Sequence, residues 1–138
     1  MNRLHSVIRS KAGNPGDSGS AGSAPGEAFL DLSVALDRVG GDAELLKELT
    51  ALFIDDYPRQ LRLIEAAVSA NDCRTAEREA HGLKGAVANF GANGAMEAAR
   101  LLEMAAREGR QSDLPALLTE VVRQMAGVRS ELDRFAAS

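Results

Sequence analysis

The residues of this sequence that are best suited to chemistry surround His81. At about 100° per residue along a helix, Lys84, Gly85 and Ala88 fall within about 60° of the imidazole, and so does Arg78. Near neutral pH much of an imidazole is uncharged, which leaves a ring-nitrogen lone pair able to attack phosphorus without a separate base. The spacing therefore predicts a nucleophilic histidine with a cationic residue three positions to either side.

The opposite side of the same helix is apolar. It carries Ala76, Leu83, Val87 and Phe90. Because this side would pack into a core, the imidazole of His81 is expected to face solvent. Glu79 falls towards the apolar side, and we expect it to lie at the edge of the core or to pair with a neighbouring arginine.

Two glycines, Gly82 and Gly85, lie inside this helix and its apolar pattern continues through them, although each costs about 1 kcal/mol relative to alanine. Gly85 lies one turn after His81, where any side chain would overhang the imidazole. Ala88 extends the low surface, so another protein could approach closely. We therefore expect Gly85 to provide clearance and Arg78, Gly82 and Ala88 to belong to a docking surface, although Gly82 could instead serve helix packing.

The cationic neighbours Lys84 and Arg78 are close enough in sequence to stabilise a phosphoryl group on His81. A solvated surface, or pairing with acids such as Glu77, is the ordinary alternative. That alternative is favoured for Arg78 and Arg74. Lys84 is the residue predicted to stabilise the phosphoryl group.

Helical periodicity predicts the elements that position these residues. We expect a short cap helix stopped by Gly40-Gly41, and a long helix with Asp42 as its N-cap. A helix from about Asp72 to Phe90 is expected to end at Gly91, one from about Asn93 to Glu108 is expected to end at Gly109, and the last helix is expected to start near Ser112. Pro58 is expected to kink the long helix or break it into two stacked segments. The inner stripe of the long helix is expected to carry Leu46, Leu49, Phe53, Tyr57, Leu61, Ile64 and Val68.

Four long amphipathic helices with short connections predict an all-α fold, an antiparallel up-down four-helix bundle with a short N-terminal cap helix. The bundle domain is expected to span residues 28–138. Residues 1–27 end in a stretch rich in Gly, Ser, Ala and Pro, which predicts a flexible tail or linker. A tether between partners and a ragged terminus fit that composition equally well.

Composition excludes several functional classes. The net charge is −4 and the 16 basic residues are interspersed with 20 acidic ones, which disfavours nucleic-acid binding. Cys73 is the sole cysteine, so neither an intramolecular disulfide nor a zinc cluster is expected. The sequence shows no secretory signal and no apolar run of about 20 residues, so a cytoplasmic protein without membrane contact is expected. No ATP-binding motif appears, which predicts a phosphoryl carrier and not a kinase.

The run His81-Gly82-Leu83-Lys84-Gly85-Ala86, followed by Asn89-Phe90-Gly91-Ala92, resembles the signature of histidine phosphotransfer (HPt) domains of bacterial multistep phosphorelays. A weaker resemblance extends from about Asp31 to Phe135. It implies a four-helix bundle in which His81 takes a phosphoryl group from a receiver-domain aspartate and passes it to another receiver. By the same resemblance Lys84 assists, Gly85 provides clearance, and Gly82 occupies a variable position.

The resemblance also implies the partners, which are response-regulator receiver domains and a hybrid sensor histidine kinase. No cofactor or metal is expected on this chain, Mg²⁺ being expected on the receiver, and a monomer is expected. Two alternatives stay open, namely the phosphoacceptor domain of a chemotaxis-type histidine kinase and a non-catalytic helical docking or dimerisation module. The absence of a further catalytic domain argues against the first, and the retained histidine, lysine and glycine argue against the second.

Overall fold

Aspartate N-caps fix the starts of the first three helices in the computed structural model, which describes residues 28–138. The carboxylates of Asp31, Asp42 and Asp72 each accept a hydrogen bond from a backbone N–H two or three residues further on. These bonds satisfy donors that have no partner within the helix. The helices are α1 (Leu32–Arg38), α2 (Ala43–Ser69) and α3 (Cys73–Ala88).

The two remaining helices follow glycine-containing turns. α4 spans Asn93–Arg107, a 3₁₀ turn covers Gln111–Asp113, and α5 spans Leu114–Ala137. Gly91 and Gly109 lie in the left-handed region, with φ of 66° and 72°, and they end α3 and α4 as the sequence predicted. The predicted start near Ser112 corresponds to the 3₁₀ turn, so α5 itself begins slightly later.

The four long helices form a closed ring in which each packs against its neighbours in sequence and α5 returns to α2. The short helix α1 lies against α2, and the backbone N–H of Asp31 donates to the carbonyl of Gly91, which ties α1 to the turn after α3. The predicted all-α, four-helix bundle with an N-terminal cap helix is thus confirmed.

Side chains from all four long helices fill the core. Its most deeply buried large residues are Leu46, Ile64, Leu83, Leu102, Leu114, Met125 and Leu132. Near one end, the ring of Phe53 packs against those of Tyr57 and Phe90 at centroid distances of 5.2 and 5.0 Å. This core orients α3, because Ala76, Leu83 and Val87 are fully buried in it.

Two expectations for α2 differ from the structure, one of them in part. Of the kink or break expected at Pro58, the break into two segments does not occur, because the helix is continuous from Ala43 to Ser69. One missing N–H and the proline ring cost about 3 kcal/mol in a helix interior, but buried residues before Pro58, such as Tyr57, and after it, such as Ile64, hold both halves in one stripe against the core. Leu49, predicted to lie on the inner stripe, is 39% exposed.

Within residues 28–138, none of the helices combines the length and the apolar character needed to cross a bilayer. The predicted tail, residues 1–27, lies outside the described residues.

Candidate functional site

The imidazole of His81 projects outward from the middle of α3. Its side chain is 68% exposed, whereas Ala80 and Leu83 on either side of it in sequence are completely buried. The packing of α3 on α2 and α4 produces this orientation, because it buries the opposite face of the helix. The outward direction inferred from helical periodicity is therefore the one that the structure shows.

A buried carboxylate, Glu103 of α4, anchors the imidazole. Its Oε2 lies 2.9 Å from Nδ1 of His81, and its side chain is only 4% exposed. Lys84 donates from Nζ to Oε1 at 2.7 Å, and Arg107 donates from Nη2 to Oε2 at 3.0 Å. Arg107 also donates from Nε to Glu77 at 2.9 Å. We refer to these five side chains as the Glu103 cluster.

Glu103 is held in its ionised form. Burial alone would raise the pKa of this carboxyl, but hydrogen bonds from Lys84 and His81, together with the charges of those groups, outweigh it and leave the pKa below the ordinary value of 4.5. An ionised carboxylate only accepts hydrogen bonds, so the proton between Glu103 and His81 belongs to Nδ1. The lone pair of the neutral ring then lies on Nε2, on the solvent side.

Lys84 lies beside His81 as predicted, but its amine points towards Glu103. The lysine side chain is 29% exposed. A charged amine at 2.7 Å from a buried carboxylate stabilises that carboxylate directly. Lys84 is therefore connected to the imidazole through Glu103.

Three arginines line an open cleft together with His81. Arg74 and Arg78 come from α3, and Arg107 reaches across from α4. Arg78 is 69% exposed and makes a long 3.4 Å contact with Glu79, so its guanidinium is only weakly held. Glu79 is 19% exposed, at the edge of the core beside an arginine, as expected from the sequence.

The two glycines differ in their surroundings. A Cβ placed on Gly85 would meet no atom within 4 Å, so no packing contact within residues 28–138 requires glycine there. A Cβ on Gly82 would lie 2.6 Å from the amide nitrogen of Gln60, which donates to the carbonyl of Glu79 at 3.3 Å. Gly82 thus makes room for Gln60 of α2, which is the packing alternative that the sequence left open. Ala88 is half-buried on the same face.

Comparisons with known proteins identify the family of this helical bundle. The Hpt domain family model matches residues 48–137, which is most of the chain and includes all of α3, α4 and α5. The chain belongs to the Hpt domain family. The crystal structure of histidine-containing phosphotransfer protein B (HptB) from Pseudomonas aeruginosa PAO1 matches with a TM-score of 0.74 and 30% sequence identity, covering 83% of this chain and 97% of that one. A search of curated proteins found no match. The match to the Hpt domain family and the structural similarity to HptB make this chain a histidine phosphotransfer protein of phosphorelay signalling.

A second surface of this Hpt domain lies between α1, α2 and the end of α3. This α1–α2–α3 groove is mostly apolar. It is lined by Ala35, Arg38, Val39, Leu46, Leu49, Phe53, Ala86, Asn89 and Phe90. Leu45, Leu49 and Leu52 are 39%, 39% and 64% exposed on α2, at a spacing that places them on one face. Such exposed apolar residues beside a groove are typical of an interaction site.

Sequence reasoning missed two residues of the Glu103 cluster, Glu103 itself and Arg107. One signal was present, since Glu103 lies among the buried positions of α4, next to Leu102 and one turn from Ala99 and Ala106. A charged residue in an apolar stripe needs a partner. The sequence could not identify that partner, because nothing in it fixes the register of α4 against α3.

No group of three or more His, Cys, Asp or Glu side chains in residues 28–138 is arranged to hold a metal ion.

Proposed function

We propose that His81 is the phosphoryl-accepting residue of this Hpt domain, that it receives the phosphoryl group from the aspartate of a receiver domain, and that it passes the group to another receiver. The chain acts in this scheme as a carrier with no ATP site of its own. One observation carries the proposal, namely an exposed imidazole whose Nδ1 lies 2.9 Å from a buried, ionised carboxylate.

The geometry supports attack by Nε2. The lone pair of Nε2 forms the N–P bond while the bond between phosphorus and the donor carboxylate breaks, and the departing carboxylate oxygen takes that electron pair. No proton has to leave the ring, because the Nδ1 proton stays against Glu103. Mg²⁺ is expected on the receiver, and this chain is expected to need no cofactor of its own.

The cations of the site divide into two groups in this proposal. Lys84 supports the reaction through Glu103, because its amine helps to keep the carboxyl group of Glu103 ionised. The arginines of the open cleft, Arg74, Arg78 and Arg107, are the groups that can reach an arriving phosphoryl group. Guanidinium groups suit this task because they present several N–H donors to phosphate oxygens.

The receiver would cover both Gly85 and the α1–α2–α3 groove. A standard interface buries about 800 Å² on each partner, which corresponds to a disc of roughly 16 Å radius. Ala86 and Asn89, which line the groove, lie only about 8 to 12 Å along α3 from His81, at 1.5 Å per residue. A receiver centred on His81 would therefore extend far enough along α3 to meet the groove at Asn89, which supports an apolar contact surface there.

The test is phosphoryl transfer from a ³²P-labelled receiver domain to the full chain. The sequence holds two histidines, His5 and His81, which offer a matched pair of variants. We expect His5→Gln to accept label at the wild-type rate and His81→Gln to accept none while keeping its helical circular dichroism. Unchanged labelling of His81→Gln would refute the site. Labelling by an ATP-binding kinase domain but by no receiver would favour the chemotaxis-type alternative.

A further inference from the structure

The hydrogen bond between His81 and Glu103 bears on the phosphorylated state as well as on the free histidine. We infer that Glu103 acts as a positioning residue whose negative charge keeps the proton on Nδ1 of His81 after Nε2 has been phosphorylated, and thereby keeps the phosphohistidine ready to discharge. This inference rests on the proposed function, since it requires His81 to carry the phosphoryl group.

The chemistry of the N–P bond explains why this proton matters. When Nε2 forms the bond, the ring becomes a phosphoimidazolium cation that still carries its Nδ1 proton. On discharge, an acceptor oxygen bonds to phosphorus, the N–P electron pair returns to Nε2, and a neutral imidazole leaves. If Nδ1 had lost its proton, the leaving group would be an imidazolate anion, which leaves far more slowly. With water as the acceptor, the water proton goes to the solvent.

Glu103 can hold this proton because it is a buried anion in direct contact with Nδ1. The cation formed on phosphorylation faces Oε2 at 2.9 Å, and the low exposure of Glu103 leaves this carboxylate little solvent to screen its charge. An amide at the same position would still accept a hydrogen bond from Nδ1 but would lack the charge. The inference therefore concerns the charge of Glu103 and not merely its shape.

The other groups around His81 oppose or balance this effect. α3 contributes Arg74, Glu77, Arg78 and Lys84, and α4 contributes Arg107 besides Glu103. Gln60 of α2, beside Gly82, does not titrate. The three arginines and the lysine disfavour a positive charge on the ring, and Glu77 is engaged with Arg107. Glu103 is the only carboxylate within residues 28–138 that an ion pair places against the ring.

The experiment measures how the lifetime of the phosphohistidine depends on pH. Wild type and Glu103→Gln are loaded with phosphoramidate, freed of reagent, and the release of inorganic phosphate is followed from pH 6 to pH 9. We expect the wild-type hydrolysis rate to stay within about twofold between pH 6.5 and 8.5, and that of Glu103→Gln to fall roughly tenfold or more, since a rate that needs a protonated group decreases as that group titrates. Glu97→Gln is the matched control, because Glu97 is also a carboxylate of α4 that pairs with an arginine, Arg100, but lies outside the Glu103 cluster, and it should keep the wild-type profile.

The outcomes separate this inference from the proposed function. Loading of Glu103→Gln with a pH profile identical to that of wild type would overturn the inference and leave His81 as the acceptor. Failure of wild type to load at His81 would instead overturn the proposed function. If Glu103→Gln does not fold, the double variant Glu103→Gln/Lys84→Met removes the lysine left without its carboxylate, and the same profile decides the matter.

Discussion

Substitutions of Gly85 should have different effects on the stability of this Hpt domain and on phosphoryl transfer. It lies inside α3, one turn after His81, and a Cβ there would meet no atom within 4 Å. Glycine is a poor helix former because it loses more backbone freedom on folding than other residues do. The site therefore bears a stability cost that no contact within residues 28–138 offsets.

The expected size of that cost follows from helix propensity alone. Gly85→Ala should raise the free energy of unfolding by about 1 kcal/mol, because no clash opposes the gain. For a domain of this size the melting temperature should rise by about 4 °C. Urea and thermal unfolding followed by circular dichroism at 222 nm measure both quantities.

Gly82→Ala is the matched control on the same helix. The added Cβ would meet the amide of Gln60 at 2.6 Å and displace its hydrogen bond to Glu79, so the gain in stability should be clearly smaller. Equal gains at both positions would show that Gln60 contributes nothing. A loss of stability in Gly85→Ala would refute the claim that Gly85 has no packing role.

The functional half of the prediction uses a longer side chain. Gly85→Gln should be at least as stable as wild type but should slow transfer from a phosphorylated receiver by roughly tenfold or more, because its side chain would overhang the imidazole and displace the incoming aspartyl phosphate. Transfer at the wild-type rate would mean that the receiver does not approach over Gly85.

Three further predictions concern stability. Lys84→Met should lower the free energy of unfolding by about 1 to 2 kcal/mol at neutral pH. The lowered pKa of Glu103 makes its contribution to stability fully present above its ordinary value of 4.5 and lost as the pH falls through the lowered value, so this difference should shrink in urea titrations at pH 3. Gly91→Ala should be more destabilising than Gly109→Ala: both positions have positive φ, which costs alanine about 1 kcal/mol or more. Only at Gly91 would the Cβ lie 2.6 Å from a backbone carbonyl, and parallel thermal melts measure the difference. Thr50→Val should raise stability by about 1 kcal/mol, because the buried hydroxyl has no partner in the described part of the chain and valine has nearly the same shape; a urea titration that shows a loss would contradict this.

Those parts of the site that lie on one helix could be predicted from the sequence. The direction of His81, the shared face of Lys84 and Gly85, and the buried positions Leu83 and Val87 all follow from the period of α3. The helix ends were also predictable, because aspartate caps and left-handed glycines act locally.

Features that depend on two helices could not be predicted in this way. The contact between Glu103 and His81 requires the register of α4 against α3, and the same register brings Arg107 to Glu77. Pro58 illustrates a different limit, because the local rule predicts a break but tertiary packing on both sides keeps α2 continuous.

The central claim is that Nε2 of His81 carries the phosphoryl group while Nδ1 keeps its proton. Nitrogen-15 NMR of the phosphorylated, histidine-labelled chain tests it most directly, through the coupling between phosphorus and the bonded ring nitrogen. We expect the coupling at Nε2 of His81 and a protonated Nδ1 at neutral pH. Coupling at Nδ1, or phosphate found on any other residue, would contradict the account.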